Sequence, residues 1–263
     1  MNVNEYVVVE NIDQAYQLFN QNKKNQIIAG GAWLKLSVKE VNKLISLDDL
    51  SLNYIKTNDK SVEIGALTSL REVEMNDVVN EIDHGILSTA ISQIMGVSIR
   101  NLATIGGSIM GRFSFSDIIP VLLVLDCQLY FHNRGEMTIN EFITSKGLDR
   151  DILTYIKINK STGQSYFKKI SHTALDFSML NVAITFDGSF RIAIGSQPGM
   201  AMLCEQTMAF LNQQNDISED VIEQAVSIAL TELKLSSNIR ASKAYREVLA
   251  KTYIKRGLRQ VIK

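Results

Sequence analysis

Ile99-Arg100-Asn101-Leu102-Ala103-Thr104-Ile105-Gly106-Gly107-Ser108 is the stretch whose reading decides the fold. An apolar run that reads as extended leads into two glycines, with the hydroxyls of Thr104 and Ser108 on either side. Glycine has no Cβ, so consecutive peptide N–H groups can turn toward one anion and let it come close. A second pair, Ala29-Gly30-Gly31-Ala32, ends the β-type run Gln26–Ala29. Either pair alone reads most simply as a tight turn. Two such loops on separate segments suit the two phosphates of one dinucleotide. Neither pair is a G-x-G-x-x-G fingerprint, and no P-loop Lys-Ser or Lys-Thr follows a glycine run, so Rossmann and Walker readings fail.

Outward from these loops, the chain reads as mixed α and β. Glu5–Val9, Lys43–Leu47 and Val62–Ile64 are expected strands, and Asn11 is an expected cap for a helix carrying Ala15, Leu18 and Phe19. Ser69 and Glu72 form a capping-box pair, Gly85–Met95 is helical, and Asp117 is expected to cap the turns from Ile118 to Leu125. Gln128–His132 and Glu136–Ile139 read as a hairpin, and Ile152–Ile158 as a strand that runs into a polar linker, Asn159–Gln164. Beyond it come strands Ser165–Ile170, Leu180–Phe186 and Phe190–Ile194, then helices at about 201–213, 219–235 and 242–261. Strands followed by a block of helices argue for an α+β second domain.

With 27 basic and 28 acidic residues the net charge is -1, which points to neither nucleic acid nor an anionic membrane as partner. The longest apolar run, Ile118–Leu125, is too short to span a bilayer, and the N-terminus lacks the pattern of a signal peptide, so a cytoplasmic protein is expected. Two cysteines, Cys127 and Cys204, are too few for a four-thiolate iron–sulfur cluster, so redox chemistry would need an organic cofactor or a partner's metal. His84, His132 and His172 lack metal-ligand spacing, and no G-x-S-x-G elbow is present. For Arg100 the plain expectation is a salt bridge. Asp117 reads either as a helix cap or as an acceptor for a ribityl or ribose hydroxyl.

These residues resemble the FAD-binding, or medium, subunit of the xanthine dehydrogenase and carbon monoxide dehydrogenase family of molybdenum hydroxylases. Ile99–Ser108 is similar to the family signature Ile-Arg-Asn-x-Ala-Thr-Ile-Gly-Gly-Asn, and Ala29-Gly30-Gly31-Ala32-Trp33-Leu34 to its Ala-Gly-Gly-Thr-x-Leu loop. Ile64–Thr68 resembles the Ile-Gly-Ala-x-Thr step, and Asp117, Pro120 and Leu122–Asp126 the Asp-x-x-Pro-x-Leu-x-Ala-Leu-Asp stretch. Lys168, Asp176, Tyr245-Arg246 and Leu249 continue the resemblance to the end, and Ile45–Leu50 resembles a branch labelled as the FAD subunit of a selenate reductase.

The implied fold is α+β: a two-lobed FAD-binding domain of the PCMH/VAO-like type over residues 1–160, with lobes at about 1–55 and 56–160. A domain like the C-terminal domain of the CO dehydrogenase flavoprotein follows over 165–263, a small antiparallel sheet plus helices. The implied cofactor is non-covalent FAD. The resemblance places it against Ile28, Ala29, Gly30, Gly31, Ala32, Trp33 and Leu34, against Ala103, Thr104, Gly106, Gly107 and Ser108, and near Ile94, Ser116, Asp117 and Leu153, with Lys168 approaching from the second domain. No side chain is required as acid, base or nucleophile. A molybdopterin-binding large subunit and an iron–sulfur small subunit are the implied partners, with NAD or another acceptor taking the electrons. Ser108, Ala32, Ile94, His172 and the run Arg112-Phe113-Ser114-Phe115 depart from the family's usual residues. A free-standing flavin reductase on the same fold and a flavin-less assembly scaffold are the alternatives.

Overall fold

The computed structural model describes residues 1–36, 38 and 40–263. Three sheets follow one another along the chain. The first is parallel, in the order β1-β3-β2, from β1 (Asn2–Val8), β2 (Gln26–Ile28) and β3 (Glu40–Ser46). The helix Ile12–Gln21 crosses between β1 and β2, capped by the Asn11 side chain, which accepts the Gln14 N–H. Ala15, Ile45 and Leu47 form a small core with Ile152, which reaches in from the next lobe.

The second sheet is antiparallel, in the order β4-β5-β8-β6-β7. Its strands are β4 (Ile55–Thr57), β5 (Ser61–Gly65), β6 (Gln128–Phe131), β7 (Gly135–Thr138) and β8 (Leu153–Asn159). The sequence between β5 and β6 makes a layer of short helices over this sheet. Among them Ile119–Val124 is buried at every position, as an apolar run without amphipathic alternation should be.

The third sheet runs β12-β11-β10-β9, from β9 (Gln164–Ile170), β10 (Leu180–Phe186), β11 (Phe190–Gly195) and β12 (Met202–Leu203). Strand alternation sends Phe167, Ala183 and Ala193 into the core of the second lobe, and Val182, Ile184, Ile192 and Ile194 into a separate core under the C-terminal helices. The helices Glu205–Leu211, Glu219–Glu232 and Lys243–Val261 cover that outer face. The whole is α+β, as expected.

Several local expectations change. Ile99–Leu102 is not extended: Val97–Leu102 and Ile105–Met110 are both helices, joined at Ala103-Thr104. Six-residue helices carry little propensity signal of their own and are held by packing. Asp117 is not a cap. Ser116 Oγ accepts the N–H groups of Ile118 (3.3 Å) and Ile119 (3.2 Å) instead. Residues 202–203 pair with Ala193 and Ile194 as an edge strand, so the helix begins only at Glu205. Glu136–Ile139 is strand only as far as Thr138, which forms a capping box with Glu141 for the helix Ile139–Thr144. The polar stretch between β8 and β9 is pinned to the second lobe: the Asp83 N–H donates to Ser161 O (2.9 Å) and the Gly163 N–H to Asp83 Oδ1 (2.9 Å).

Arg246 ties the last helix to the loop before it. It is fully buried and donates to Met179 O (2.8 Å), Ser236 O and Ala241 O (2.6 Å each) and Asn238 Oδ1 (2.7 Å). Arg246→Met fills the volume but leaves those acceptors unpaired. It should cost about 3 kcal/mol or more, read as a lowered Tm of the purified chain.

Candidate functional site

A cavity of about 530 Å³ opens between the first and second lobes, in the size range of small-molecule sites. One part is apolar, walled by Phe19, Ile27, Leu47 and Ile152. The other is walled by backbone and small residues of the two glycine segments, Ala29, Gly31, Ala32, Gly106, Gly107 and Ser108. Leu153 lines it as well.

The first glycine pair supplies the conformation that the sequence suggested. Gly30 and Gly31 have φ of +64° and +70°, and the Gly31 N–H closes a tight turn on Ala29 O at 2.7 Å. Among the described residues, the N–H groups of Gly30, Ala32 and Trp33 have no hydrogen-bond acceptor. Ala32 and Trp33 line the cavity, so their N–H groups, unpaired among the described residues, stand at its wall, which suits an anion; Gly30 lines neither cavity.

The second pair plays a different part. Gly106 and Gly107 lie inside the helix Ile105–Met110, with no positive φ. Their N–H groups are already used: Gly106 donates to Ala66 O (2.9 Å) and Gly107 to Thr104 Oγ1 (3.1 Å). Ser108 Oγ donates to Thr104 O at 2.8 Å. Gly106 is required by packing, because a Cβ there would sit 2.6 Å from Ala66 O. Gly107 faces the cavity, where its lack of a side chain leaves room for a ligand.

A smaller cavity of about 60 Å³ lies against the first, and Trp33, Ala103, Ser108 and Phe113 line both. Ile94, Ser116 and Asp117 line the smaller one, as does a lysine. That lysine is Lys169. Lys168, opposite Val182 in the register, is exposed on the other face of β9. A shift of one residue along a strand exchanges the faces. Lys169 Nζ lies 3.2 Å from Asp117 Oδ2 and donates to Gln93 O at 2.8 Å. Asp117 also accepts from Asn181 Nδ2 (2.8 Å) and from the Ser178 hydroxyl. Its carboxylate is therefore already engaged by three donors and binds the second lobe to the third sheet. Ile28 lines neither cavity. The neighbouring Ile27 does, while the Ile28 side chain packs near Gly31. Leu34 is in the wall of the larger cavity.

Arg100 makes the salt bridge expected of it. Nε and Nη2 donate to Glu74 (2.8 and 3.3 Å), and Nη1 to Ile94 O and Met95 O (3.0 and 3.1 Å), fixing the turn beside the smaller cavity. Burial alone would raise the Glu74 carboxyl, but hydrogen bonds from Arg100 and Arg71 outweigh it and hold the group below the ordinary carboxylate range. Lys169, Ala66, Phe113 and the apolar wall of Phe19, Ile27, Leu47 and Ile152 are among the lining residues that sequence reading left out. Strand parity could have found Lys169, and the Ile64–Thr68 step contains Ala66.

Two family models match the chain: the FAD binding domain in molybdopterin dehydrogenase over residues 1–160, and the CO dehydrogenase flavoprotein C-terminal domain over residues 165–261. The chain belongs to the FAD-binding, or medium, subunit family of the molybdopterin dehydrogenases. This medium subunit is 25% identical to the glyceraldehyde dehydrogenase medium chain of Sulfolobus acidocaldarius, over 97% of each chain. It is 26% identical to the xanthine dehydrogenase FAD-binding subunit of Escherichia coli O157:H7, over 94% of this chain and 92% of that one. The fold is that of a chain in the carbon monoxide dehydrogenase of Hydrogenophaga pseudoflava, with a TM-score of 0.89 at 20% identity, covering 98% and 96% of the two chains. The medium subunit is thus an oxidoreductase component whose cofactor is FAD. The donors at Ala32 and Trp33, unpaired among the described residues, and the cavity they line fit its pyrophosphate.

Two outcomes follow for the glycines. Gly30→Ala should lower both Tm and FAD content, because its Cβ would meet Leu102 O at 1.8 Å. Gly107→Val should lower FAD content with a smaller change in Tm, since the nearest atom to a Cβ there is Thr104 Oγ1 at 3.0 Å. For the Glu74 pair, a carboxyl held low in the folded state contributes stability above its unfolded value and loses it as pH falls through the folded one. The Tm difference between wild type and Glu74→Gln should therefore be largest at neutral pH and close on acidification below the ordinary carboxylate range.

Proposed function

We propose that this chain is the electron-transfer subunit of a multi-subunit molybdenum-dependent dehydrogenase or hydroxylase. In this reading a molybdopterin-binding large chain oxidises the substrate, and a small iron–sulfur chain carries electrons to this subunit. FAD, when bound, supplies the redox chemistry and passes the electrons to NAD or another acceptor. The observation that carries the reading is the turn at Gly30-Gly31, after which Ala32 and Trp33, with N–H groups unpaired among the described residues, line a cavity between two lobes.

The chain's own residues then have defined tasks. The first glycine loop binds the pyrophosphate through backbone donors, and Gly107 leaves the room beside it. Lys169, paired with Asp117, is the lysine that lines the smaller cavity, where its ammonium would serve as a hydrogen-bond donor to a bound group. That role falls to Lys169 rather than to Lys168. The cysteine count supports placing the metal centres on other chains: Cys127 and Cys204 are each buried, in different cores. No helix among the described residues is long and apolar enough to cross a membrane, which is compatible with the proposed cytoplasmic location.

The chain purified alone should be yellow and release FAD, not FMN, on denaturation. It should not turn over purines, aldehydes or N-heterocycles unless a large molybdenum-binding chain and a small cysteine-rich chain are added. Substrate turnover by the single chain would favour a free-standing flavoenzyme. A colourless chain that takes up no FAD but still assembles with both partners would favour the scaffold.

A further inference from the structure

The run Arg150-Asp151-Ile152 clamps the first lobe to the second, and each of its side chains does a different part of the work. Arg150 reaches into the first lobe. Its Nη1 donates to Asn22 O at 2.9 Å, its Nη2 donates to Asn25 O, and its guanidinium lies over the Phe19 ring, 3.8 Å from the centroid. Asp151 reaches back into the second lobe. Its carboxylate accepts the N–H groups of Asn133 (3.1 Å) and Arg134 (2.8 Å) between β6 and β7, and that of Ile152 (2.8 Å). Ile152 is buried in the small core of the first lobe, while its carbonyl accepts the His132 N–H at 2.9 Å.

The first lobe needs this arginine. Its helix Ile12–Gln21 has no basic residue in the last turn, and Asn22 is its C-cap. A helix end leaves carbonyl oxygens unpaired and carries partial negative charge, which a cation stabilises. Arg150 supplies that cation from the other lobe. Asn25, whose carbonyl it also takes, is buried and already tied in place. The Asn25 side chain donates to Leu18 O (2.6 Å) and accepts from Asn42 Nδ2 (2.9 Å) and the Lys43 N–H (3.2 Å). Arg150 thus grips the corner at which the helix, the start of β2 and the start of β3 are joined.

Phe19 and Ile152 line the larger cavity from the two lobes, and Arg150 lines neither cavity. We propose that Arg150 is a positioning residue for the cofactor: it fixes Phe19 relative to Ile152 and so sets how firmly the larger cavity retains FAD, acting through Phe19 rather than on the cofactor. The inference rests on the FAD-binding reading above and deepens it. At the glycine loop the lobes meet main chain on main chain, with no room for a Cβ on Gly30 beside Leu102 O. Near Phe19 the fastening is made by side chains. One is the His132–Asp13 pair at 3.0 Å, whose aspartate is largely exposed, so it contributes little. The Arg150 bonds are charge-assisted, and one of them is part-buried, so they carry more of the hold there.

FAD release tests this without enzyme turnover, as flavin appearing in the filtrate on timed ultrafiltration of the loaded chain. Arg150→Met keeps an unbranched apolar stem and removes both donors. FAD should then leave about tenfold faster, the change that one lost charge-assisted bond corresponds to. Arg150→Lys restores the charge but cannot span two oxygens, so its rate should fall between those of Arg150→Met and wild type. Ile222→Ala, which opens a cavity in the core under the C-terminal helices, is the control for general loss of stability. It should lower Tm and leave the release rate near that of wild type. A wild-type rate in Arg150→Met overturns the assignment, and so does equally fast release from Ile222→Ala; FAD binding stands in either case. If Arg150→Met does not fold, Arg150→Lys decides, and a wild-type rate there overturns the assignment. If the wild-type chain holds no FAD, the FAD reading fails, and this assignment fails with it.

Discussion

At Gly30 the chain passes so close to the Leu102 carbonyl that a single carbon atom cannot be placed between them. At Gly106 the same holds against Ala66. These two contacts of backbone against backbone seat the first lobe and the helix Ile105–Met110 on the second sheet, and the rest of the site depends on them. They set the width of the cleft, orient the first glycine turn toward it, and bring Thr104 to where it caps the helix that carries Gly107. The site is narrow because its walls are main chain. Side chains enter mainly at its two extremities, aliphatic and phenyl groups at one and the rings of Trp33 and Phe113 at the other.

A second constraint is electrostatic. Lys169 and Asp117 sit 3.2 Å apart where the third sheet meets the second lobe, and both are nearly sealed from water. Ions in such a place are tolerable only when each is paired and further hydrogen-bonded. Gln93 O serves the lysine, and Asn181 and Ser178 serve the aspartate. Positioning Lys169 therefore requires partners from the helical layer and from β10 together. The charge beside the smaller cavity is consequently a property of the assembled domains.

Much of this was legible in the residues. Residues of both glycine pairs line the cleft between the lobes, the apolar helix Ile119–Val124 and the three long strands of the third sheet lie where their patterns put them, and Arg100 met a carboxylate. What was misread turns on single-residue parity. Ser116 Oγ, not Asp117, accepts the N–H groups of Ile118 and Ile119, because both residue types accept such bonds well and only the three-dimensional approach of Lys169 claims one of them. Lys168 and Lys169 differ only in which face of β9 they occupy, and that depends on pairing with β10. Gly106 and Gly107 looked like a turn because glycine is usually a turn signal. Here its use is to let a helix pack against a strand end without a side chain in the way. The aromatic cluster of Phe113 and Phe115 with Trp33 and Phe177 was visible only as an unusual run, Arg112–Phe115, because Trp33 and Phe177 come from far along the chain.

The third sheet is buried on both sides, and its inner face completes the core of the second lobe through Phe167, Ala183 and Ala193. The sheet thus serves two interiors, its own core under the C-terminal helices and that of the second lobe. A recombination event that exchanged either domain for an unrelated neighbour would strand apolar surface on both products. The connection at residues 160–163 is therefore a poor place to cut.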